Sequence, residues 1–464
     1  MMLRLFKQYY PIRNAIFALG EGLIIFFSVM MASALITGGK ELSMEFTTVL
    51  KALLITVSCQ ICLYYNDLYD FKATGSYTEL CIRLLQSLGV SAIFLAIIYT
   101  IFPDVIIKEG IFFVIILMVL IFIVSWRVVY TQIITHGIFD QRIIILGADN
   151  TAKEIVREVI EKKDSGYKIA AAISDKPFPE LNCTEGVGLI CQTHFENIYD
   201  ISLKMNVKKI VVSIGEKRGN FPTKELLNCR INGIDVLDGN SFYEMLTGKL
   251  IVENINPAWL IFSDGFKKSW AKKICKRSID LMMSASLMIL LSPLFLIMTI
   301  AIKLDSKGPI IFSQERVGEN NRIYNLYKFR SMRIDAEKET GPVWAKENDD
   351  RITRLGHFIR KWRIDEIPQL WNVFKGDMSF VGPRPEREYF VKQLMDEVPY
   401  YAERLSVKPG LTGWAQVNYG YGASIKDAIE KLNYDLFYIK NMSILMDIMI
   451  VLRTVRTVIF GHGR

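Results

Sequence analysis

DEIPQLWNVFKGDMSFVGPRP, residues Asp365–Pro385, is the segment from which the rest of the sequence is best understood. It opens with two adjacent carboxylates, Asp365 and Glu366. Its apolar residues then recur at positions i, i+3, i+4 and i+7, which is the spacing of one helix face. Those apolar residues are Ile367, Leu370, Trp371 and Phe374. Pro368 is compatible with a first helical turn, where the N–H that proline lacks would have no backbone partner. We therefore predict a helix that begins at the carboxylates and buries this apolar face.

Basic residues lie on both sides of the two carboxylates. They are Arg351, Arg354, Arg360, Lys361 and Arg363 before the pair, and Arg384 and Arg387 after it. An acidic pair at a helix start often only caps the helix, because it offsets the partial positive charge there. Carboxylates also bind divalent cations, however, and guanidinium groups bind phosphate. The presence of both groups in one segment favours a phosphoryl-transfer site over simple capping.

The composition indicates a membrane protein of several domains. A chain of 464 residues has room for about two to four domains. Hydrophobic residues make up 51% of it and the mean hydropathy is +0.24, which is high for a soluble protein. With apolar spans present, the net charge of +8 suits anionic lipid and phosphorylated substrates better than nucleic acid. The seven cysteines and four histidines are scattered and form no zinc-ligand pattern.

Residues 1–135 contain four apolar runs, each of about the 20 residues that cross a bilayer. The runs are Ile12–Ile36, Phe46–Tyr65, Leu84–Phe102 and Ile111–Tyr130. We predict a block of four transmembrane helices. Glu21 and Lys51 lie near the ends of the first two runs, where we expect their side chains to snorkel toward the membrane surface. Arg4 precedes the block and Arg142 follows it, so the positive-inside rule predicts that both ends are cytoplasmic.

Residues 140–250 have the pattern of a soluble α/β segment. RIIILG (Arg142–Gly147) resembles a buried strand, and Thr151–Lys162 resembles the helix that follows it. Further short strands are predicted at Lys168–Ile173, Lys209–Ile214 and Ile234–Leu237. This order suggests a Rossmann-like domain, but only the first glycine of the dinucleotide fingerprint is present. Asp149 stands where the backbone would approach a pyrophosphate, and its charge would repel that group. We therefore expect this domain to be structural or regulatory.

Leu281–Ile302 is a fifth apolar segment and contains no charged residue. By length alone it could span a bilayer. Ser292 and Pro293 interrupt it, because Pro293 removes an N–H and its ring collides with the carbonyl of Ile289. Basic residues on both flanks favour the same side of the membrane for both ends. A kinked spanning helix and a re-entrant hairpin over about residues 278–303 are both compatible with this pattern.

Other candidate phosphate ligands lie in three short motifs. Lys328 and Arg330 alternate in a strand-like segment. Arg384 lies between two prolines that make its turn rigid, and Lys408 precedes a tight, glycine-rich turn. Each motif also has a structural explanation, as an exposed strand face or a plain turn. The C-terminal run Ile425–Ile459 has apolar stripes interrupted by charges, which predicts amphipathic helices on the membrane surface or on the domain core.

Three motifs occur in order near the C-terminus. They are KFRSM (Lys328–Met332), DRITRLGHFIRKWRIDEIPQLWNVFKGDMSFVGPRP (Asp350–Pro385) and KPGLTGWAQVN (Lys408–Asn418). Together they resemble the signature of the bacterial sugar transferase family, the polyprenyl-phosphate hexose-1-phosphate transferases, also called monotopic phosphoglycosyl transferases. The similarity begins near Trp270. It implies a mostly helical catalytic domain over residues 265–464, with a re-entrant membrane hairpin broken at Ser292 and Pro293.

The resemblance implies a membrane protein of class α plus α/β, the long form of the family. Four transmembrane helices and a Rossmann-like domain would precede the catalytic domain. A fifth membrane crossing would place the catalytic end outside the cell, away from cytoplasmic nucleotide sugars, so the resemblance favours the re-entrant hairpin. The catalytic domain would lie on the cytoplasmic face of the bacterial inner membrane.

The implied reaction moves a sugar-1-phosphate from a UDP-sugar to polyprenyl (undecaprenyl) phosphate and releases UMP. Asp365 would be the nucleophile and would form a covalent aspartyl-phosphosugar. Asp365 and Glu366 would also hold Mg²⁺, which screens the phosphates. The other implied contacts to substrate or phosphate are Lys328, Arg330, Arg384, Lys408 and Asp435. The family often has arginine where Lys408 stands, and lysine lacks the two-pronged geometry of a guanidinium group.

The implied partners are the lipid bilayer and downstream glycosyltransferases of exopolysaccharide biosynthesis, and the resemblance allows a homodimer. Two other functions remain open. A membrane-bound nucleotide-sugar dehydratase would need an intact glycine fingerprint and a helical YxxxK motif; Tyr324 and Lys328 have this spacing but lie in a strand-like segment. A non-catalytic assembly protein of polysaccharide export would not need the pair Asp365 and Glu366.

Overall fold

The computed structural model describes residues 2–5, 8–37, 46–66, 68–69, 77–106, 111–135, 140–161, 165–174, 188–191, 195, 197–215, 221–254, 265–266, 269–333, 351–420, 422 and 424–459. The chain divides into two units. The first comprises Met1–Gly147, Val156–Val211 and Glu216–Val236, and the second comprises Ala148–Ile155, Val212–Gly215 and Leu237–Arg464.

Four long helices form the N-terminal part of the first unit, after a short antiparallel hairpin of β1 (Met2–Leu5) and β2 (Gln8–Pro11). The helices are α1 (Ile12–Thr37), α2 (Phe46–Tyr65), α3 (Tyr77–Ile101) and α4 (Ile111–Thr135). Each contains a segment long and apolar enough to cross a membrane, which confirms the prediction of four such helices. Helix α1 packs against α2 and α4, and α2 packs against α3. Buried side chains such as Val29, Leu63 and Ile123 form the core between them.

Glu21 does not snorkel, so that prediction is wrong. Its side chain is fully buried, and Oε1 lies 2.7 Å from Nη2 of Arg127 in α4. Nη1 of Arg127 donates to the carbonyl of Leu68 at 2.7 Å, and the guanidinium lies over the ring of Phe17. An opposite charge at this distance offsets part of the cost of burying the Glu21 carboxylate inside the bundle. Lys51 donates to the carbonyl of Ile106 at 2.8 Å.

A five-stranded sheet follows the helices. Its elements are β3 (Gln141–Leu146), α5 (Asn150–Glu161), β4 (Tyr167–Ser174), β5 (Gly188–Cys191), α6 (Ile198–Lys204), β6 (Lys209–Val212), α7 (Thr223–Ile231), β7 (Asp235–Asp238) and α8 (Gly239–Thr247). The strand order is β5-β4-β3-β6-β7, and β4 pairs in parallel with both β3 and β5. The four predicted strands and the predicted helix are confirmed, with ends that differ by no more than two residues.

Asp149 occupies the turn between β3 and α5. Its Oδ1 accepts a hydrogen bond from the main-chain N–H of Ala152 at 2.8 Å and from the hydroxyl of Ser213 at 2.5 Å. Gly239 packs beside them, since a Cβ there would lie 2.6 Å from Oγ of Ser213. The carboxylate therefore caps the start of α5, at the turn where a dinucleotide fingerprint would place glycine.

A bent pair of helices opens the C-terminal part of the second unit. Helix α9 (Trp270–Leu290) and helix α10 (Ser292–Asp305) meet at a bend of 60°. Pro293 lies in the first turn of α10, and the hydroxyl of Ser292 donates to the carbonyl of Ile289 at 2.8 Å. Proline and serine thus break the helix as predicted, and the pair is compatible with a broken span or a re-entrant loop.

The remaining elements are mostly helical, around an antiparallel hairpin and a short parallel strand pair. They are β8 (Ile311–Val317), β9 (Ile323–Phe329), α11 (Arg354–Lys361), α12 (Gln369–Lys375), β10 (Ser379–Val381), α13 (Glu388–Glu397), β11 (Gly410–Thr412), α14 (Trp414–Asn418), α15 (Ile425–Asn441) and α16 (Ile444–Ile459). Short 3₁₀ helices lie between them at 319–321, 364–366 and 401–406. Leu370, Val373, Phe380 and Leu436 belong to the shared core.

The helix predicted at Asp365 exists, but its start and its buried face differ from the prediction. The carboxylates lie in the 3₁₀ turn Ile364–Glu366, and the α-helix begins only at Gln369. Trp371 and Phe374 were predicted to be buried, but they are 52% and 37% exposed and stack on each other. Asn372 is buried instead, because its side chain donates to the carbonyl of Asn325 at 2.7 Å and accepts from the main-chain N–H of Tyr327 at 3.1 Å.

Candidate active site

The 3₁₀ turn that carries the two carboxylates is fixed from both ends. Helix α11 ends at Lys361, and shortly after it Arg363 has a φ of +52°, in the left-handed region that few residues adopt. At the other end of α11, Gly356 lies against the carbonyl of Ser331, and a Cβ at Gly356 would be 2.0 Å from that oxygen. The strand end after β9 therefore holds α11 close, and α11 in turn places Asp365 and Glu366, each 7% exposed.

Glu366 is surrounded by three cations. Its Oε1 accepts from Nζ of Lys328 at 3.1 Å and from Nη2 of Arg384 at 3.2 Å, and its Oε2 lies 3.5 Å from Nη1 of Arg363. Burial alone would raise the pKa of Glu366, but these three cations outweigh burial and hold the pKa well below its ordinary value. Glu366 is therefore an ionised carboxylate whose oxygens are already engaged.

Asp365 is the less engaged of the two carboxylates. Its Oδ2 lies 3.9 Å from Nζ of Lys328, a longer contact than the one that Lys328 makes with Glu366. Burial raises the pKa of Asp365, Lys328 opposes this, and the charge on Glu366 raises it further. Arg360 and Arg363 are near enough to stabilise the ionised form. A buried carboxylate with weak contacts beside several cations is a suitable nucleophile or cation ligand.

Lys328 and Arg330 have different surroundings, although they are two residues apart. Lys328 in β9 bridges the two carboxylates. Arg330 is buried at the end of α10, where it donates to the carbonyl of Ser306 at 2.7 Å, the hydroxyl of Ser306 at 2.8 Å and the carbonyl of Pro309 at 2.6 Å. Such contacts satisfy carbonyl groups at a helix C-terminus. The predicted contact between Arg330 and phosphate remains a prediction.

Arg384 is carried by a turn whose backbone is tightly packed. Strand β10 ends just before this turn and pairs in parallel with β11, and the N–H of Gly410 donates to the carbonyl of Pro383 at 2.8 Å. A Cβ at Gly382 would lie 2.3 Å from the carbonyl oxygen of Lys408, so only glycine fits there. The predicted turns around Arg384 and Lys408 are therefore two halves of one structure, which directs Arg384 onto Glu366.

The contacts of Lys408 and Asp435 are with other parts of the domain. Nζ of Lys408 lies beside Gly376, at the C-terminal end of α12, where Arg277 donates to the carbonyls of Val373 and Phe374 at 2.6 and 2.7 Å. Asp435, in α15, is 1% exposed and accepts from Arg404 at 2.9 Å. Their predicted substrate contacts remain predictions.

Sequence reasoning did not find Arg404, Asp280 or Tyr438. Asp280 in α9 accepts from the main-chain N–H of Phe380 in β10 at 3.0 Å and so ties the helix pair to the strand before Arg384. Tyr438 shares Asp447 with Lys276, at 2.7 Å from each. These contacts join residues 9 to 171 positions apart, and a local sequence pattern does not encode most of them. Of these three residues, Arg404 lies near a motif, four residues before the third one, so its position could have suggested a role.

Asp365 fits a Mg²⁺ site of the kind that substrate phosphates complete. Within the described parts of the chain, no three His, Cys, Asp or Glu residues form a metal cluster. Mg²⁺ often takes only one or two carboxylates and completes its shell with phosphate and water oxygens. The weakly held oxygens of Asp365 suit this role. Glu366 suits it less well than predicted, because three cations already occupy its oxygens.

The part of the chain that carries this site matches a known protein family. The profile of the family described as Bacterial sugar transferase matches residues 271–461. A protein of Aeromonas hydrophila named UDP-N-acetylgalactosamine-undecaprenyl-phosphate N-acetylgalactosaminephosphotransferase is 42% identical over 238 residues, 51% of this chain and 55% of that protein. The UDP-glucose:undecaprenyl-phosphate glucose-1-phosphate transferase of Escherichia coli (strain K12) is 30% identical over 337 residues, 69% of this chain and 68% of that protein.

A third relative matches a shorter region. The undecaprenyl-phosphate glucose phosphotransferase of Komagataeibacter xylinus is 42% identical over 196 residues, 40% of this chain and 36% of that protein. The chain thus spans about half the length of the Aeromonas relative and about a third of the Komagataeibacter relative.

Proposed function

The chain belongs to the bacterial sugar transferase family, and we propose that it transfers a sugar-1-phosphate from a UDP-sugar to polyprenyl (undecaprenyl) phosphate and releases UMP. The names of the relatives support both the nucleotide-sugar donor and the lipid phosphate acceptor. The observation that carries the proposal is that two adjacent buried carboxylates have different contacts. Glu366 holds Lys328, Arg363 and Arg384 in place, while Asp365 keeps weakly held oxygens beside them.

In the first step, an Oδ atom of Asp365 forms a bond to the β-phosphorus of the UDP-sugar. The bond from that phosphorus to the oxygen bridging the two phosphates breaks, and UMP leaves with the electron pair. The product on the enzyme is an aspartyl-phosphosugar. In the second step, an oxygen of polyprenyl phosphate bonds the same phosphorus, and the bond to Asp365 breaks. The carboxylate is restored, and neither step needs a net proton transfer.

The cations around Glu366 give this chemistry its electrostatic support. Lys328 lies between the two carboxylates, and Arg384 approaches Glu366 from the rigid turn. Charges fixed before the reaction stabilise phosphoryl transfer without reorganising. Mg²⁺, held by Asp365 together with substrate phosphates, would neutralise charge on the diphosphate when bound. Covalent capture also keeps the two anionic substrates from having to bind at the same time.

The membrane arrangement belongs to the same proposal. Helices α9 and α10 form a re-entrant hairpin that brings the site to the headgroup plane of the cytoplasmic leaflet, where the acceptor phosphate lies. The bend of 60° and basic flanks such as Lys276 and Lys303 support this topology. A membrane-impermeant thiol reagent tests it, because exposed Cys275 and a cysteine placed at Lys307 should both react from the cytoplasmic side. Reaction from opposite sides would show a spanning helix instead.

The product would start a lipid-linked glycan for exopolysaccharide export, extended by downstream glycosyltransferases, and the enzyme would act as a monomer or a homodimer. The five-stranded domain is Rossmann-like in this proposal, and its strand order supports this.

The two other candidate functions fit the site less well. A dehydratase would need Tyr324 and Lys328 one helical turn apart, whereas both lie in strand β9. A non-catalytic assembly protein of polysaccharide export would not require the cations around Glu366.

Release of UMP from a panel of UDP-sugars tests the proposal. The full-length chain in detergent or nanodiscs is supplied with Mg²⁺ and polyprenyl phosphate, and no NAD is added. We expect multiple turnovers with one donor or a few donors, and a sugar-diphosphate lipid as the product. Omission of the lipid should limit UMP to about one equivalent per enzyme, because each Asp365 captures one phosphosugar. Absence of UMP with every donor, from a folded chain, would contradict the proposal.

A further inference from the structure

A buried ion pair lies behind the turn that carries Arg384. Arg404, in the short 3₁₀ helix after α13, is 6% exposed, and Asp435 in α15 is 1% exposed. Nη2 of Arg404 donates to Oδ2 of Asp435 at 2.9 Å and to the main-chain carbonyl of Arg384 at 3.0 Å. Nη1 of Arg404 donates to the hydroxyl of Tyr401 at 2.5 Å. A single guanidinium group thus joins α15 to the backbone of the turn.

The pair is ionic at neutral pH. Burial raises the pKa of Asp435 to about 6, although Arg404 opposes the rise. Burial would lower the pKa of Arg404, but Tyr401 and Asp435 outweigh it and hold the pKa above its ordinary value. A buried ion pair is often no more stabilising than apolar residues of the same size. Its effect on geometry is therefore the more informative property.

The ion pair of Arg404 and Asp435 affects the geometry of Arg384. Prolines on both sides restrict its backbone, so a hydrogen bond that fixes its carbonyl oxygen also limits the direction of its side chain. The same side chain reaches Glu366, where Nη2 lies 3.2 Å from Oε1. The contacts form one continuous path from Asp435 through Arg404 and Arg384 to Glu366.

We propose that Arg404 is a positioning residue for the transfer reaction, which aims Arg384 at Glu366 and at the donor phosphates, and that Asp435 acts by holding Arg404. The proposal rests on the proposed function for its kinetic consequences, but its structural consequence is independent of the substrate. It gives Asp435 a role through Arg404 and not through contact with the substrate.

The kinetic test is a double-mutant cycle in the full-length chain. Arg404→Lys keeps the charge but cannot donate to Asp435 and to the Arg384 carbonyl with guanidinium geometry. A misplacement of about 1 Å in a reacting site costs on the order of a hundredfold in rate. We expect Arg404→Lys to lower kcat for UMP release by up to about that factor, with a small change in KM for the donor. In an Arg384→Ala background, Arg404→Lys should have almost no further effect.

The structural test is amide hydrogen exchange in residues 382–387, which needs no substrate. We expect faster exchange in Arg404→Lys and in the milder variant Asp435→Asn, which keeps an acceptor for Arg404. The matched control is Glu244→Gln. Glu244 in α8 forms a buried ion pair with Lys440 of α15 at 2.6 Å, and this variant removes its charge. Glu244→Gln should leave both exchange in the turn and kcat unchanged.

Three outcomes would overturn the proposal. The first is unchanged exchange in residues 382–387 in both Arg404→Lys and Asp435→Asn. The second is a loss of kcat in Arg404→Lys that is the same with and without Arg384. The third is a loss of kcat in Arg404→Lys that only follows its fall in thermal stability, with the same relation in Glu244→Gln. If the native chain releases no UMP at all, the proposed function fails, and the exchange experiment alone still decides the role of Arg404.

Discussion

Removal of one partner from the Glu21–Arg127 pair should destabilise the helix bundle strongly. Glu21 is fully buried and Arg127 is 5% exposed, and their charged groups lie 2.7 Å apart. In Glu21→Gln, Arg127 keeps its bond to the carbonyl of Leu68 at 2.7 Å but loses the opposite charge. An unpaired buried charge costs about 3–5 kcal/mol, whereas loss of both charges is often neutral. We therefore expect Glu21→Gln to cost about that amount and Glu21→Leu with Arg127→Met to cost about 1 kcal/mol or less.

The thiol of Cys59 provides the assay. Cys59 is 6% exposed inside the bundle, and its Sγ lies 3.3 Å from Oγ of Ser91. It should react with a thiol reagent only when the bundle opens, at a rate that follows the free energy of opening. A loss of about 3–5 kcal/mol therefore predicts an increase in rate of about 10² to 5 × 10³. Cys81 is exposed, and its rate should not change.

The matched control is the pair of Glu79 and Arg83 on α3, at 2.6 Å but with side chains 43% and 27% exposed. Arg83→Ala should cost about 0.5 kcal/mol or less, which is about a twofold change in the rate at Cys59. The reasoning would be refuted by a similarly small effect of Glu21→Gln. It would also be refuted if the double variant cost as much as the two single variants together, because the charges would then not be coupled.

Three further outcomes follow from the catalytic part of the chain. Arg330→Gln should lower the free energy of unfolding by about 2–3 kcal/mol and leave kcat per folded molecule unchanged, because Arg330 bonds the end of α10. Replacement of the exposed, stacked pair Trp371 and Phe374 by serine should raise KM for polyprenyl phosphate in bilayers, with KM for the UDP-sugar unchanged, because the proposed membrane arrangement would bring these aromatic rings to the lipid. Chelation of Mg²⁺ should abolish UMP release, and thermal unfolding should stay unchanged because the proposal gives the ion only one protein ligand, Asp365.

A different result would contradict each of these three predictions. An unchanged unfolding transition in Arg330→Gln, with a raised KM for the donor, would place Arg330 on phosphate as the sequence predicted. A loss of stability in the serine variants would show that Trp371 and Phe374 support the fold. Full activity in the presence of a chelator would exclude a catalytic divalent cation.

Features with a local cause could be predicted from the sequence. Four apolar runs became four helices because length and hydropathy decide a membrane span. The break before α10 followed from the chemistry of Ser292 and Pro293, and strands such as β3 followed from short runs of β-branched residues. The motif around Asp365 and Glu366 located the candidate site because its residue types and order are specific.

Features that depend on distant partners could not be predicted in this way. Periodicity placed Trp371 in the core, but the polar side chain of Asn372 fills that position because β9 offers it a donor and an acceptor. Glu21 has its partner 106 residues later, and Arg404 has its partner 31 residues later. Arg330 looks like a phosphate ligand in its motif, yet carbonyl groups 21 to 28 residues earlier surround it.

The central claim is that Asp365 carries the phosphosugar, and covalent labelling tests it most directly. The native chain is incubated with Mg²⁺ and a UDP-sugar that carries a radioactive β-phosphate, without polyprenyl phosphate, and the labelled peptide is identified by mass spectrometry. We expect about one label per chain on Asp365, released as sugar-diphosphate lipid when polyprenyl phosphate is added. Asp365→Asn should take up no label, and Glu366→Gln should remain folded but label slowly. A label on another residue, or lipid-linked product formed at the native rate by Asp365→Asn, would contradict the account.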